Sequence, residues 1–193
     1  MTVRARFDIA LASQSAFRAL MEAMARPGTI HSLAGDTAPT PLMPAAAALI
    51  RSLADYETPV WCDDHVSAAA RDWIRFQTGA PLTAAMSDAG FAVIADAARM
   101  PGLASFAVGD AEYPDRSTTI IVQIESFGGP QFVLAGPGIK DTRRVAVSSL
   151  PGDFATRWSE NRTLFPCGVD VILVAGHEIA ALPRTVNLEP AGG

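Results

Sequence analysis

Lysine is almost missing from this chain. Of its 15 basic residues, Lys140 is the only lysine. Any Schiff-base chemistry would have to use Lys140, which stands in a Gly-containing turn beside Asp141, where a lysine is ordinarily solvated. Cysteine is scarce as well. Cys62 and Cys167 lie far apart, with no CxxC pair, which excludes a disulfide framework and fits a reducing cytoplasm. The three histidines form no HxH, HxxxH or HExxH motif, so no metal signature is present. No apolar run approaches the ~20 residues of a membrane span. The opening MTVRARFDIALASQSAF lacks the apolar core of a signal peptide. A basic excess is lacking too: 20 acidic residues against 15 basic give a net charge of −5, which argues against nucleic-acid binding. There is no GxSxG, GxGxxG or GxxxxGK[ST], so neither a nucleophile nor a phosphate loop announces itself.

What is present suits one folded unit. The 193 residues are 49% hydrophobic, but 35 of them are alanine. Large apolar side chains still suffice for a core without disulfides or metal. The expectation is a single α/β domain over residues 1–193, with 190–193 as a frayed tail.

Periodicity and punctuation give the elements. Ser13 to Arg26 reads as a helix capped by Ser13, burying Ala16, Phe17, Leu20, Met21 and Met24, and stopped by Pro27-Gly28. Arg18, Glu22 and Arg26 share its other face, where Glu22 can pair both ways. A second helix is expected over 45–54 and a third over 67–77, the third burying Ala70, Trp73, Ile74 and Phe76. Residues 58–61, 91–95, 118–125 and 169–175 read as strands, with 58–61 buried, 118–125 interior and 169–175 of the kind covered on both faces. Gly128-Gly129-Pro130 should turn the third of these into 131–135 as a β-hairpin. Leu150-Pro151 should open a helix containing Trp158. Gly176-His177-Glu178 should fold 169–175 onto 179–182. Two hairpins among interspersed helices predict a mixed β-sheet with helices on both faces.

The chemistry-bearing groups are few. Asp63-Asp64-His65 brings hard-ligand residues together. Adjacent side chains diverge, so a cap on the following helix is favoured over a metal-dependent phosphoesterase. Gly136-Pro137-Gly138 reads as a turn, and Arg143-Arg144 as surface. Asp115, Arg116 and Ser117 close a long loop, where they could bind an anion or a ribose, or equally be solvated with a local Asp–Arg pair. Ala-rich 44–54 can pack closely, so Ala47 and Ala48 are candidates for a dimer face.

The ordered segments FRALMEAMARPGTI (17–30), LADYETPVW (53–61), RFQTGAPL (75–82), Gly109 to Ile124, GPGI (136–139), FPCGVDVILVAG (165–176) and ALPRTV (181–186) resemble the PhnH family of the bacterial carbon–phosphorus lyase system. The resemblance implies a shortened pyridoxal-phosphate-dependent transferase fold without the cofactor. It also implies a homodimer joined to three other core subunits, PhnG, PhnI and PhnJ. That complex exchanges the adenine of ATP for an alkylphosphonate, giving α-D-ribose 1-(alkyl)phosphonate 5-triphosphate. It carries no catalytic residue over to this chain. The polar residues inside matched motifs, Arg26, Arg75, Asp170 and Arg184, become substrate-binding candidates, with Asp115 and Arg116 ranked below them. Arginine suits phosph(on)ate oxygens. Asp170 opens an otherwise apolar strand, and an internal ion pair with Arg184 is the favoured reading. The expected role is a structural or co-catalytic subunit with no activity alone. The competing expectations are a stand-alone phosphate- or phosphonate-binding enzyme of the same fold and a pyridoxal-phosphate enzyme using Lys140.

Overall fold

In the computed structural model, which describes residues 3–192 and side chains from Leu11 onward, two sheets share the chain. The larger holds β1 (His31–Ser32), β2 (Val60–Cys62), β3 (Phe91–Ile94), β4 (Thr119–Gln123), β7 (Asp170–Ala175) and β8 (Glu178–Leu182), in the order β1-β8-β7-β4-β3-β2. Strands β2, β3, β4 and β7 are parallel, and β7–β8 is the antiparallel hairpin expected around Gly176. The smaller sheet has the order β6 (Arg143–Ala146), β5 (Gln131–Ala135), β9 (Asn187–Pro190), all antiparallel.

The apolar strands alternate between two cores, as a pleated sheet requires. Val93, Ile121 and Ile172 face one side, with helices α1 (Val3–Ala25), α2 (Pro44–Leu53) and α3 (Ala68–Thr78). Ile94, Ile120, Val122, Val171 and Leu173 face the other, against α4 (Phe154–Thr163), short 3₁₀ turns and the small sheet. Helices therefore lie on both faces, but the second face is shared with a sheet that the sequence pattern did not reveal.

The expected hairpin from β4 into β5 does not form. Both edges of β4 are taken, by β3 and by β7. The chain leaving β4 through Gly128-Gly129 must start a new sheet, and β5 pairs with β6 and β9 instead. Strand β9 runs through Pro190, and the Ala191 N–H donates to the Gln131 carbonyl at 2.8 Å, so the chain is held inside the segment expected to fray.

Helix α1 starts ten residues before Ser13, which lies within it and caps nothing. Its inward face is Ala16, Leu20 and Ala23, whereas Phe17 and Met21 are half exposed. Small residues let α1 close on α2, whose alanines 45–48 are all buried. Ala47 and Ala48 are thus core residues of this chain and leave no surface there for a second copy. Helix α3 has Ser67 as its N-cap, accepting from the Ala70 N–H at 3.2 Å, and Gly79 in the left-handed region as its stop. It buries Ala70 and Ile74, but Phe76 is 85% exposed. Pro151 precedes α4 in a turn and is not its first residue; its carbonyl accepts the Phe154 N–H at 2.9 Å.

Candidate functional site

The β7–β8 hairpin brings Asp170 and Arg184 together. Asp170 begins β7, and Arg184 follows Leu182, which is paired with Val171. The Arg184 Nε donates to Asp170 Oδ1 at 3.2 Å, and its Nη2 donates to Oδ2 at 2.6 Å. The Arg184 backbone N–H adds a third bond to Oδ1 at 2.7 Å. Such a two-pronged contact is the strong form of the Arg–carboxylate pair. The remaining nitrogen, Nη1, donates to the Pro114 carbonyl at 2.7 Å. Both side chains are largely buried, at 15% and 13% exposure. Every guanidinium nitrogen therefore already faces a protein acceptor. The pair is a clamp between the hairpin and the loop before β4, as the ion-pair reading expected.

The clamp fixes the 3₁₀ turn Pro114–Arg116. Clefts open on both sides of this turn. One, of about 320 Å³, is bounded by Pro114, Asp115, Phe165, Pro166, Pro183 and Arg184. The other, of about 380 Å³, lies at the amino ends of β3 and β4 and includes Ser87, Asp88, Gly90, Asp115, Arg116 and Ser117. Asp115 borders both. Arg116 lies over the Tyr113 ring, 3.9 Å from its centroid.

Arg26 and Arg75 are elsewhere. Arg26 follows α1, pairs with Glu22 at 3.6 Å and is 65% exposed. Arg75 lies on α3, 3.8 Å from Asp72 and 63% exposed. The six candidate residues thus fall in three places: Asp170, Arg184, Asp115 and Arg116 are neighbours, while Arg26 and Arg75 stand apart from them and from each other.

The carboxyl ends of parallel strands are the usual ligand crevice of an open α/β sheet. Here the chain itself fills that position. The buried Gln123 at the end of β4 accepts from the Met43 N–H at 2.5 Å and donates to the Pro41 carbonyl at 3.1 Å. The Ala45 N–H donates to the Gly176 carbonyl at 3.0 Å. The start of α2 is pinned over β4 and β7.

Asp63 does not cap α3. It is buried, and its two oxygens accept four backbone N–H groups, from His65, Val66, Ala95 and Asp96, at 2.9–3.2 Å. Arg71 donates to the carbonyls of Cys62, Asp63 and Val66. Asp63 is therefore spent on joining β2 to β3. Asp64 is exposed. Among the described residues no group of three His, Cys, Asp or Glu side chains could hold a metal ion. Burial pushes the Cys62 thiol up to about 11, against the opposing pull of Arg71. Lys140 is exposed.

The glycine motifs turn out to hold each other. Gly138 has φ +81°, and a Cβ there would land on the Ala25 carbonyl oxygen and 2.9 Å from Pro27 Cδ. Arg143 reaches across to the carbonyls of Arg26 and Pro27 at 3.3 and 3.0 Å. It is a tie between α1 and the small sheet, not the free surface arginine that was expected. Asn161, which the sequence reading passed over, is buried on α4 and exchanges two hydrogen bonds with the Val169 backbone at 2.8 and 2.9 Å. A Cβ on Gly168 would sit 2.9 Å from its Oδ1.

A family model described as bacterial phosphonate metabolism protein (PhnH) matches residues 6–189. The curated alpha-D-ribose 1-methylphosphonate 5-triphosphate synthase subunit PhnH of Rhizobium meliloti (strain 1021) is 42% identical over 185 residues, 94% of this chain and 92% of that protein. The putative C-P lyase subunit protein HtxG of Stutzerimonas stutzeri is 34% identical over 180 residues, 93% of this chain and 87% of that protein.

Proposed function

From the premise that this chain belongs to the PhnH family of bacterial phosphonate metabolism proteins, we propose that it is a subunit of the assembly that makes ribose 1-phosphonate 5-triphosphates in phosphonate catabolism. The observation that carries the reading is the 42% identity, along 94% of the chain, to a protein named as a subunit of that synthase. In the proposed reaction the alkylphosphonate takes the place of the adenine of ATP. The bond from ribose C1 to the base breaks, a bond from C1 to a phosphonate oxygen forms, and adenine leaves with a proton.

The role assigned to this chain is structural or co-catalytic. Three features support it. The buried Asp170–Arg184 pair spends its donors on the protein. The crevice at the carboxyl ends of the strands is filled by the start of α2. The glycine motifs serve mutual packing. The partners in this reading are a second copy of the chain and the PhnG, PhnI and PhnJ subunits, in the cytoplasm. Among the described residues no helix is long and apolar enough to cross a membrane. The likeness to a shortened pyridoxal-phosphate transferase belongs to the same proposal, supported by the mixed sheet with helices on both faces.

The test is co-expression with the three other subunits, followed by sizing with light scattering and an assay for adenine release. One stoichiometric particle that releases adenine from ATP and methylphosphonate, with no release by this chain alone, is the expected result. A lone species of about twice the 20.3 kDa chain mass, or turnover by the chain alone, would overturn the reading.

A further inference from the structure

A sheet edge is a row of backbone N–H and C=O groups able to pair with another chain, and folded proteins cover, shorten or charge such edges. Three of the four edges here are closed off. Along β2 the Val60 N–H donates to the Pro81 carbonyl at 2.9 Å, the Thr83 N–H donates to the Val60 carbonyl at 3.0 Å, and Arg71 Nη2 donates to the Cys62 carbonyl at 3.1 Å. Strand β1 is two residues long. Strand β9 turns Leu188, which is buried, and Pro190, which has no N–H, away from β5.

The outer edge of β6 is open. Its one strand partner among the described residues is β5. The Val147 N–H donates to the Pro130 carbonyl at 2.9 Å. Bonded pairs alternate along an antiparallel ladder, so Arg143, Val145 and Val147 turn their backbone groups to β5, and Arg144 and Ala146 turn theirs outward. Neither outward N–H and neither outward carbonyl has a hydrogen-bond partner among the described residues. The Ser148 N–H ends the row by donating to the Ser126 carbonyl at 3.1 Å. What stays open fits one short strand.

The side chains define that strand. Val145 and Val147 are buried beneath the sheet, and Arg144 stands exposed on its outer face. Arg144 makes no ion pair among the described residues and reaches only Gln131 Oε1, at 3.4 Å. Arg143 is committed to the Arg26 and Pro27 carbonyls. With exposed Lys140 and Asp141, the stretch 140–144 sets three basic side chains against one acidic, a local charge of +2 in a chain of −5. A second copy paired antiparallel here would bring two Arg144 side chains directly or diagonally opposite, and like charges across a ladder are destabilising. A strand with a carboxylate facing Arg144 gains attraction instead. Charge therefore selects an acidic strand over a second copy.

We propose that the outer edge of β6 docks an extended segment of another subunit of the assembly, which adds as a fourth strand to the small sheet and sets an aspartate or glutamate against Arg144. This rests on the subunit reading and adds to it the surface and the chemistry of the contact. Backbone bonds at Arg144 and Ala146 supply affinity, and the guanidinium supplies the choice of strand.

The test uses the full chain, alone and co-expressed with the three other subunits. In the lone chain the amides of Arg144 and Ala146 should exchange faster than those of Val145 and Val147. In the particle they should slow about tenfold or more. Ala146→Pro deletes an N–H that the fold does not use, at a position where an edge strand tolerates proline. Its Tm should hold while its association weakens about ten- to a hundredfold. Arg144→Glu should weaken association similarly, and Arg144→Lys should recover most of it. If the wild-type chain joins the particle and Ala146→Pro and Arg144→Glu join it equally well, the proposal falls and the subunit reading stands. If the wild-type chain joins nothing, both fall. A lone chain that sediments as a dimer split by Ala146→Pro would overturn the acidic strand as the occupant.

Discussion

Replacing Arg184 with alanine should destabilise the chain far more than a surface arginine would. The side chain is 15% exposed, and its partner carboxylate 13%. Alanine at 184 leaves the Asp170 carboxylate buried with one remaining protein donor, the backbone N–H of residue 184. It also strips the Pro114 carbonyl of the Arg184 donor. Breaking a buried pair from one side costs about 3–5 kcal/mol, because the surviving charge is uncompensated. For a domain of this size each kcal/mol moves Tm by about 2–4 °C, so the variant should melt roughly 6–20 °C lower. Lysine at 184 should recover only part of the loss, since it cannot meet both carboxylate oxygens in one plane.

The double variant Asp170→Leu with Arg184→Met separates a clamp from a mere packing effect. Removing both charges together should recover most of the stability, because desolvation no longer weighs against an unpaired group. Differential scanning fluorimetry gives Tm, and amide exchange reports on the loop before β4. In Arg184→Ala the amides of residues 109–117 should exchange faster than those of β4. A Tm shift under about 2 °C for the single variant would refute the reasoning. So would a double variant no more stable than the single one.

Three further outcomes follow from burial and close approach. Gly138→Ala adds a Cβ against the Ala25 carbonyl at φ +81°; it should cost roughly 2–5 kcal/mol by combining left-handed strain with overpacking, read as a fall in the urea midpoint. Ala47→Glu places a carboxylate at a position with no exposure and should give unfolded or aggregated protein by circular dichroism and size exclusion. A folded monomer would restore the dimer-face reading of α2. With the Cys62 thiol at about 11 rather than 9.0, its thiolate fraction at pH 8 falls about a hundredfold. A thiol reagent should therefore count one fast cysteine, Cys167, in the native chain and two after denaturation.

Several features were legible because they break a local pattern. Asp170 stands at the head of a Val-Ile-Leu-Val run, where a carboxylate needs a partner, and the Gly176 turn folds Arg184 back to supply one. Five of the six strands of the large sheet were readable as apolar segments; the two-residue β1, His31–Ser32, was not. Their pairing was not readable either. An apolar strand such as Thr119–Gln123 announces two buried faces but not which edges are filled. The Gly128-Gly129 turn therefore looked like a hairpin, although β3 and β7 already flanked β4. Strands β6 and β9, with sequences RRVA and NLEP, carry little strand propensity, and their pairing with β5 creates them. In α1 the expected apolar stripe was rotated. Close packing on an alanine-rich neighbour favours Ala16 and Ala23 at the contact, which moves Phe17 and Met21 to the flank.

The family segments mark the fold strongly and locate its chemistry weakly. They meet one another. The RPG turn at 26–28 rests against GPG at 136–138 and is tied by Arg143. FPCGVD supplies Asp170 and the Gly168 that admits Asn161, and ALPRTV supplies Arg184 and the Val186 carbonyl that accepts the Trp158 indole N–H at 2.8 Å. Each segment constrains another far away in the chain, so their order and spacing mark the fold as a whole. The groups with unspent bonding capacity, Asp88, Asp115, Arg116 and Ser117, lie at the cleft beside that framework. Three of the four close the long loop that the Arg184–Pro114 bond holds in place. The framework thus bears on chemistry through positioning. Loosening the clamp should therefore disturb this loop without touching any of the loop's own polar side chains.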